Sequence, residues 1–189
     1  FEAGGGEILF VSHSADPSEA VQKTNDYMTA YGDTDCIYAT GEDYITPAAD
    51  VIKSRGITDC KIYGSNISPS VCQLIMDGQV EACTGGEFVC GSLAVTLLIN
   101  YLDGNPIKDA DGTAPYFDNL TQFMVTAENA EDFYEFLSDE NLATHTISDE
   151  EYQNLLVRNN PDVDYDYFYD FLTNYEENVY AKVEANAAQ

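Results

Sequence analysis

Positive charge is scarce in this chain. Lys and Arg together number 7 against 34 Asp and Glu, giving a formal net charge of -27 over 189 residues. Such a surface repels phosphate backbones and offers no basic patch for counterion release, so nucleic acid is excluded as a partner. The acidic residues are spread over helices and loops instead of forming a tail, which reads as a strongly solvated surface. Histidine is rarer still, with His13 and His145 alone. None of the five cysteines, Cys36, Cys60, Cys72, Cys83 and Cys90, belongs to a CxxC pair. Zinc usually needs closely spaced Cys or His pairs, so no metal site is expected. An odd number of thiols cannot all pair within one chain. Cys36, Cys60 and Cys83 sit in apolar strand segments, where a thiol acts as a small buried hydrophobe; a bridge from Cys83 to Cys90 is sterically possible across a loop.

Long apolar runs are also missing. The longest, Leu93 to Leu102, is interrupted by Thr96 and Asn100 and falls short of the roughly 20 residues that span a bilayer. There is no GxSxG elbow and no GxGxxG or GxxxxGK phosphate loop. Gly85-Gly86 lacks the rest of such a pattern, and Glu42, Asp43 and Glu87 in the loops would repel a phosphate. His13 follows a strand candidate and reads as a rim contact or a solvated loop residue. His145 lies far in sequence from every strand-end loop, so no nucleophile with its base and orienting acid is apparent. No catalytic residue and no cofactor is expected, and the chain reads as a non-enzyme; a thiol-dependent hydrolase using Cys90 or Cys83 is the enzymatic alternative. The chain starts Phe1-Glu2-Ala3, without initiator Met or signal peptide, and reads as a mature form or a fragment.

What is present is a repeating pattern of strands and helices. With 44% hydrophobic and 12% aromatic residues the chain is long enough for one domain, or one domain plus an appendage. Asp35 to Asn66 reads as a complete strand, helix, strand unit. DCIYAT closed by Gly41 and DCKIYGSN are short β-branched and aromatic runs, and Ile45, Ala48, Ala49 and Ile52 between them fall at helical spacing. Strands joined through a helix are almost always parallel with a right-handed crossover, so Gly41-Glu42-Asp43 and Gly64-Ser65-Asn66 are expected on one edge of a sheet. Before this unit, Glu7 to Ser12 is a strand candidate, and Asp16-Pro17-Ser18-Glu19 opens a helix that stops at Gly32. After it, Ser68-Pro69-Ser70 opens a short helix, Val80 to Thr84 makes a strand, and Val89 to Gly104 makes a long apolar helix. The fold class expected is α/β: an open, mostly parallel, doubly wound (flavodoxin-like) sheet with helices on both faces, plus a C-terminal helical extension.

The polar stretch Asp103 to Pro115 is the best boundary signal, which gives an α/β lobe over 1–119 and a closing strand with helical extension over 120–189. In the second part, Leu120 to Thr126 is a strand candidate, and a helix carries Phe133, Phe136 and Leu137 on one face. Ser148 to Val157 shows a capping pattern. Val163 to about Val183 reads as one amphipathic helix bearing Tyr165, Phe168, Phe171, Leu172, Tyr175 and Val179. The candidate ligand site gathers Glu42, Asp43, Asn66 and the Gly85-Gly86-Glu87 turn, with Tyr44 and Phe88 beside it. Carboxylates and amides from adjacent loops suit a ligand rich in hydroxyl groups, and Glu42 and Asp43 equally suit ordinary helix capping.

The segments YATGEDY, AADVIKSRGITDCKIYGSN, SPSVCQLIMDGQVEACTGGEFVCGSLAVTLLINYLDGNPI and FMVTAEN, in that order over about Glu7 to Asn129, resemble the C-terminal lobe of type I periplasmic binding proteins, the sugar-binding family of ABC-transporter solute receptors. The resemblance implies one flavodoxin-like lobe of a two-lobed clamshell, with an N-terminal lobe, and the first strand and helix of this lobe, upstream of Phe1. It implies ligand contacts at Glu42 or Asp43, at Asn66 and at the Gly85 to Glu87 turn. It also implies a small polar solute, a sugar, as ligand, an ABC permease in the membrane as partner, and an extracellular or cell-surface location, periplasmic or lipid-anchored. The same fold serves as the effector or sensor domain of receptors and transcription regulators, and that is the alternative reading.

Overall fold

Asp16 begins the first helix in the way its sequence predicts. In the computed structural model, which describes residues 2–87, 89–118, 120–138 and 146–188, its side chain accepts the Glu19 N–H at 2.9 Å and Pro17 occupies the first turn, so α1 runs Pro17–Ala30. The chain continues through β1 (Cys36–Ala39), α2 (Glu42–Ser54), β2 (Lys61–Ser65), α3 (Pro69–Met76), β3 (Ala82–Gly85) and α4 (Val89–Leu102). It closes with β4 (Phe123–Thr126), α5 (Ala130–Ser138), α6 (Asp149–Asn154), α7 (Tyr165–Thr173) and α8 (Tyr175–Ala187). The four strands form one open sheet in the order β1-β2-β3-β4. This is the α/β architecture the alternation of strands and helices predicts.

The chain divides into two compact units, Phe1–Cys83 with Val125–Glu131, and Thr84–Met124 with Asp132–Gln189. In the first, β1 and β2 are parallel, with Ile37 opposite Ile62 and Ala39 opposite Gly64. That face packs on α2, whose Ile45, Ala48, Ala49 and Ile52 are all buried, as their 3-and-4 spacing requires. α2 ends at Ser54, and just beyond it Gly56 has φ +65° and the Ile57 N–H closes onto Ile52 O at 3.1 Å. The other face of β1 and β2 carries Tyr38 opposite Tyr63; Tyr38 is 64% exposed. β2 therefore alternates exposed and buried residues, where its composition predicts a strand buried on both faces.

Glu7 to Ser12 is not a strand. β1 pairs directly with β2, and Glu7 to Ser12 forms no ladder; Ile8, Leu9, Phe10 and Val11 are exposed, Val11 to 74%. β-propensity describes fit to a pleated, half-buried surface and forms nothing without a neighbouring strand. The segment is instead held against α1, through the Phe10 ring on Tyr27 and the Lys23 ammonium donating to the His13 carbonyl.

In the second unit the core is aromatic. Phe123 stacks on Phe133 at 5.1 Å between centroids and lies 6.4 Å from Tyr175, and the Tyr180 hydroxyl bonds both the N–H and the carbonyl of Met124 at 2.8 and 3.0 Å. The expected single helix from Val163 to Val183 is two helices, broken at Asn174. Side chains there compete for the helix carbonyls: the Thr173 hydroxyl donates to Tyr169 O at 3.1 Å and the Asn174 amide to Asp170 O at 2.8 Å. Thr121 then secures the break. Its hydroxyl donates to Leu172 O at 3.1 Å and accepts the Glu176 N–H in the first turn of α8 at 3.1 Å.

α6 opens on the capping box expected from Ser148 and Glu151. Glu151 Oε2 accepts the Ser148 N–H at 2.6 Å and the Lys182 ammonium at 2.5 Å. Burial works to raise the Glu151 carboxyl, but Lys182 and the Ser148 donors together outweigh it and hold the group below its ordinary 4.5. A carboxyl lowered on folding stabilises the fold above its unfolded value and loses that contribution as pH falls through the folded value. Glu151→Gln is accordingly expected to cost about 1–2 kcal/mol near neutral pH. In thermal unfolding the gap to the parent closes as pH drops below 4.5; a gap constant down to strongly acid pH contradicts the assignment.

Candidate functional site

In the first unit the β1/β2 register aligns the carboxyl ends of the two strands, Ala39 opposite Gly64. The loops that follow therefore leave the same edge of the sheet. Glu42, Asp43 and Tyr44 form the first turn of α2, and Gly41 at its N-cap contributes no side-chain cap. The dipole of α2 favours the two carboxylates at this end. Pro47, inside α2, has no N–H for the carbonyl of Asp43 four residues earlier, which leaves that acceptor without its usual helix partner. The Tyr44 hydroxyl donates to Ser14 O at 3.1 Å, which fixes the ring beside the carboxylates.

Asn66 follows β2 with φ +79°, the one non-glycine left-handed residue among those described. Asn is among the few residues that enter this region readily. The conformation is held in part by the Cys83 thiol, which donates to Asn66 O at 3.3 Å, and the side chain is exposed. Glu42, Asp43, Tyr44 and Asn66 are thus presented from one edge, with His13 an exposed residue of the segment before α1.

In the second unit, Gly85 ends β3 and Gly86 has φ +120°. A Cβ on Gly86 would lie 3.0 Å from Tyr175 Cε1 and 3.8 Å from Phe123 Cε1, so glycine is required both by conformation and by the ring that covers it. Both carboxylate oxygens of Glu87 and the hydroxyl oxygen of Tyr175 are buried without a hydrogen-bond partner among the described residues. Burial pushes the Tyr175 phenol up to about 12; the Thr146 hydroxyl pulls the other way without meeting hydrogen-bond geometry. Phe88 lies outside the described residues. Sequence reasoning places Tyr175 only on the apolar face of a helix, and nothing in the local pattern around Gly86 signals that this ring would cover it.

None of the five cysteines is in a disulfide. Burial pushes the Cys60 thiol up to about 11, with Cys36, Asp35 and Asp59 adding to the shift, and burial pushes Cys72 up to about 12. Thiols so placed are poor nucleophiles, since the thiolate is the reactive form. Among the described residues no group of three or more His, Cys, Asp or Glu side chains could hold a metal ion.

A family model described as a periplasmic binding protein domain matches residues 3–106, more than half of the chain. The chain belongs to this family. It is a family of binding proteins. Among solved structures, the chain is similar to the periplasmic binding protein component of the arabinose ABC transporter from Shewanella sp. ANA-3, at 20% identity and TM-score 0.54 over 69% of this chain and 43% of that one. It is similar to a periplasmic sugar-binding protein from Pseudomonas fluorescens, at 17% identity and TM-score 0.58 over 80% and 45%. A periplasmic ribose ABC transporter protein from Conexibacter woesei DSM 14684 follows at 19% identity and TM-score 0.54 over 70% and 44%. At these identities the likeness is one of fold, and the chain spans less than half the length of each. A comparison with curated proteins finds no match.

Proposed function

We propose that this periplasmic binding protein domain is the ligand-binding lobe of an extracellular substrate-binding protein of an ABC transporter. Its ligand is a small polar solute, a sugar, held by Glu42, Asp43, Tyr44 and Asn66. The observation that carries the reading is the aligned edge of β1 and β2, where two carboxylates and an amide are presented together on a fold of this family. Carboxylates accept and amides both donate and accept in fixed directions, which matches a ring of hydroxyl groups. The sugar-binding and sugar-transport roles of the structurally similar proteins support the choice of ligand. Closure against a second lobe about a hinge would enclose the solute, and delivery to a membrane permease would follow. The location that goes with this role is periplasmic or cell-surface, by lipid anchor or otherwise; among the described residues no helix is long and apolar enough to cross a membrane.

Calorimetry of the full-length protein against a panel of monosaccharides tests the reading. Glu42→Ala and Asn66→Ala each remove a ligand hydrogen bond and are expected to weaken binding roughly tenfold or more, since one lost hydrogen bond to a charged or buried partner is worth about 1.5–3 kcal/mol. Unchanged affinity in both variants removes this edge as the site.

A further inference from the structure

A cavity of about 190 Å³ lies in the second unit, lined by Ile107 and Lys108 after α4, by Val157 after α6, and by Val163, Asp164 and Tyr165 where α7 begins. Ile107 and Val163 are buried and Val157 is half-buried, so much of the lining is apolar. Its sides are held by the chain itself. The Val157 N–H donates to the carbonyl of the buried Asn100 at 2.9 Å, and the Asp164 carboxylate caps α7 by accepting the Tyr167 N–H at 3.0 Å. The Tyr165 hydroxyl donates to Tyr116 O at 3.1 Å, and its ring stacks on Phe117 at 4.9 Å between centroids. A site formed in advance spares a ligand the cost of ordering it.

The cavity carries one charge of each sign, Lys108 and Asp164, both exposed to solvent. They do not pair with each other. Lys23, Lys61, Arg158 and Lys182 each have an acidic partner, whereas Lys108 has none among the described residues, in a chain with 34 acidic side chains. The cap takes one oxygen of Asp164, and an ionised carboxylate has about four acceptor sites. A lone anion would be drawn to Lys108 and repelled by Asp164, a lone cation the reverse, and a neutral sugar would use neither charge. The volume is below the roughly 300–1,000 Å³ of sites for drug-sized ligands, so the ligand is correspondingly small. We propose that this cavity is a further ligand site, taking a small zwitterion: an α-amino acid with a short apolar side chain, such as valine or leucine. Its carboxylate meets Lys108, its ammonium meets the free oxygen of Asp164, and its side chain lies against Ile107, Val157 and Val163. The inference is independent of the sugar-binding reading.

Valine and leucine, the amines isobutylamine and isopentylamine, and the acids isovalerate and 4-methylvalerate are titrated at low salt into the full chain. Backbone amide NMR follows Ile107, Lys108, Val157 and Val163 to Tyr165. At least one amino acid is expected to bind about threefold to fivefold tighter than both its amine and its acid, the upper range for exposed charge pairs. Lys108→Gln is expected to bring the amino acid to within about 1.5-fold of its amine, and Asp164→Asn, which keeps a residue able to cap α7, to within about 1.5-fold of its acid. Thermal unfolding checks that both variants are folded, and Lys108→Gln, at an exposed position, decides alone if Asp164→Asn is not. No perturbation of these amides by either amino acid at millimolar concentration overturns the inference. So does equal binding of amino acid, amine and acid, or a preference that survives Lys108→Gln.

Discussion

Gly64→Ala is expected to lower the unfolding free energy by about 3 kcal/mol, at the upper end of what overpacking does. Gly64 lies in β2 opposite Ala39, and a Cβ there would stand 2.5 and 2.8 Å from Cδ1 and Cγ1 of Ile45 and 2.9 Å from Ala39 O. Two features prevent relief. Ile45 is fully buried in the first turn of α2, where close packing leaves no empty rotamer well. The third contact is to backbone of the paired strand, which moves only if β1 and β2 separate. The substitution therefore pushes α2 off the strands, and because Glu42, Asp43 and Tyr44 form the first turn of that helix, the candidate edge is displaced with it. Urea unfolding shows this as a midpoint lowered by about 1 M or more, given slopes of about 1–3 kcal/mol per M for chains of this kind. An unchanged midpoint would mean that β2 does not approach α2 in this way.

The second large effect is expected in the other unit. Asn100 is completely buried in α4; its amide donates to Leu155 O and its carbonyl accepts the Val157 N–H, both at 2.9 Å. One side chain thereby satisfies both kinds of backbone group as the chain leaves α6. Asn100→Ala orphans a buried acceptor and a buried donor and is expected to cost about 3 kcal/mol, the sum of two such penalties near their lower range. Asn100→Leu separates the polar effect from the cavity. It restores the volume but not the hydrogen bonds, so it should destabilise about as much as Asn100→Ala. Rescue by Leu would show that the site needs bulk and not an amide.

These two residues mark where the sequence is informative and where it stops being so. The helix starts at Asp16-Pro17, Ser68-Pro69 and Ser148 through Glu151 are legible because capping is local: the acceptor and the donors it satisfies lie within four residues. The β1-α2-β2 unit is legible because two strand runs flank one helical period, and from it follow the shared edge and the identities of Glu42, Asp43 and Asn66. Asn100, by contrast, reads in sequence as an interruption of an apolar run, because its partners lie 55 and 57 residues away. Gly64 reads only as part of the stretch at the carboxyl end of a strand, while its role is to admit Ile45. Glu7 to Ser12 has the composition of a strand and lacks a neighbour to pair with, and composition contains no information about neighbours. The break at Asn174 is set by Thr173, Asn174 and the distant Thr121, and the periodicity of aromatic residues runs through it unbroken. For the site, the order of loops was legible, but the inward turn of the Glu87 carboxylate depends on side-chain direction that no local pattern encodes.

A small sugar is proposed to bind the loops at the carboxyl ends of β1 and β2. Backbone amide NMR of the full chain, titrated with the tightest-binding monosaccharide, tests it most directly. Perturbed amides are expected at Gly41 to Tyr44 and at Ser65 and Asn66, with those of α8 beyond Tyr175 unmoved. Perturbations centred instead on the exposed Tyr38 and Tyr63 face, or no perturbation by any sugar at millimolar concentration, would rule out this edge as the binding site.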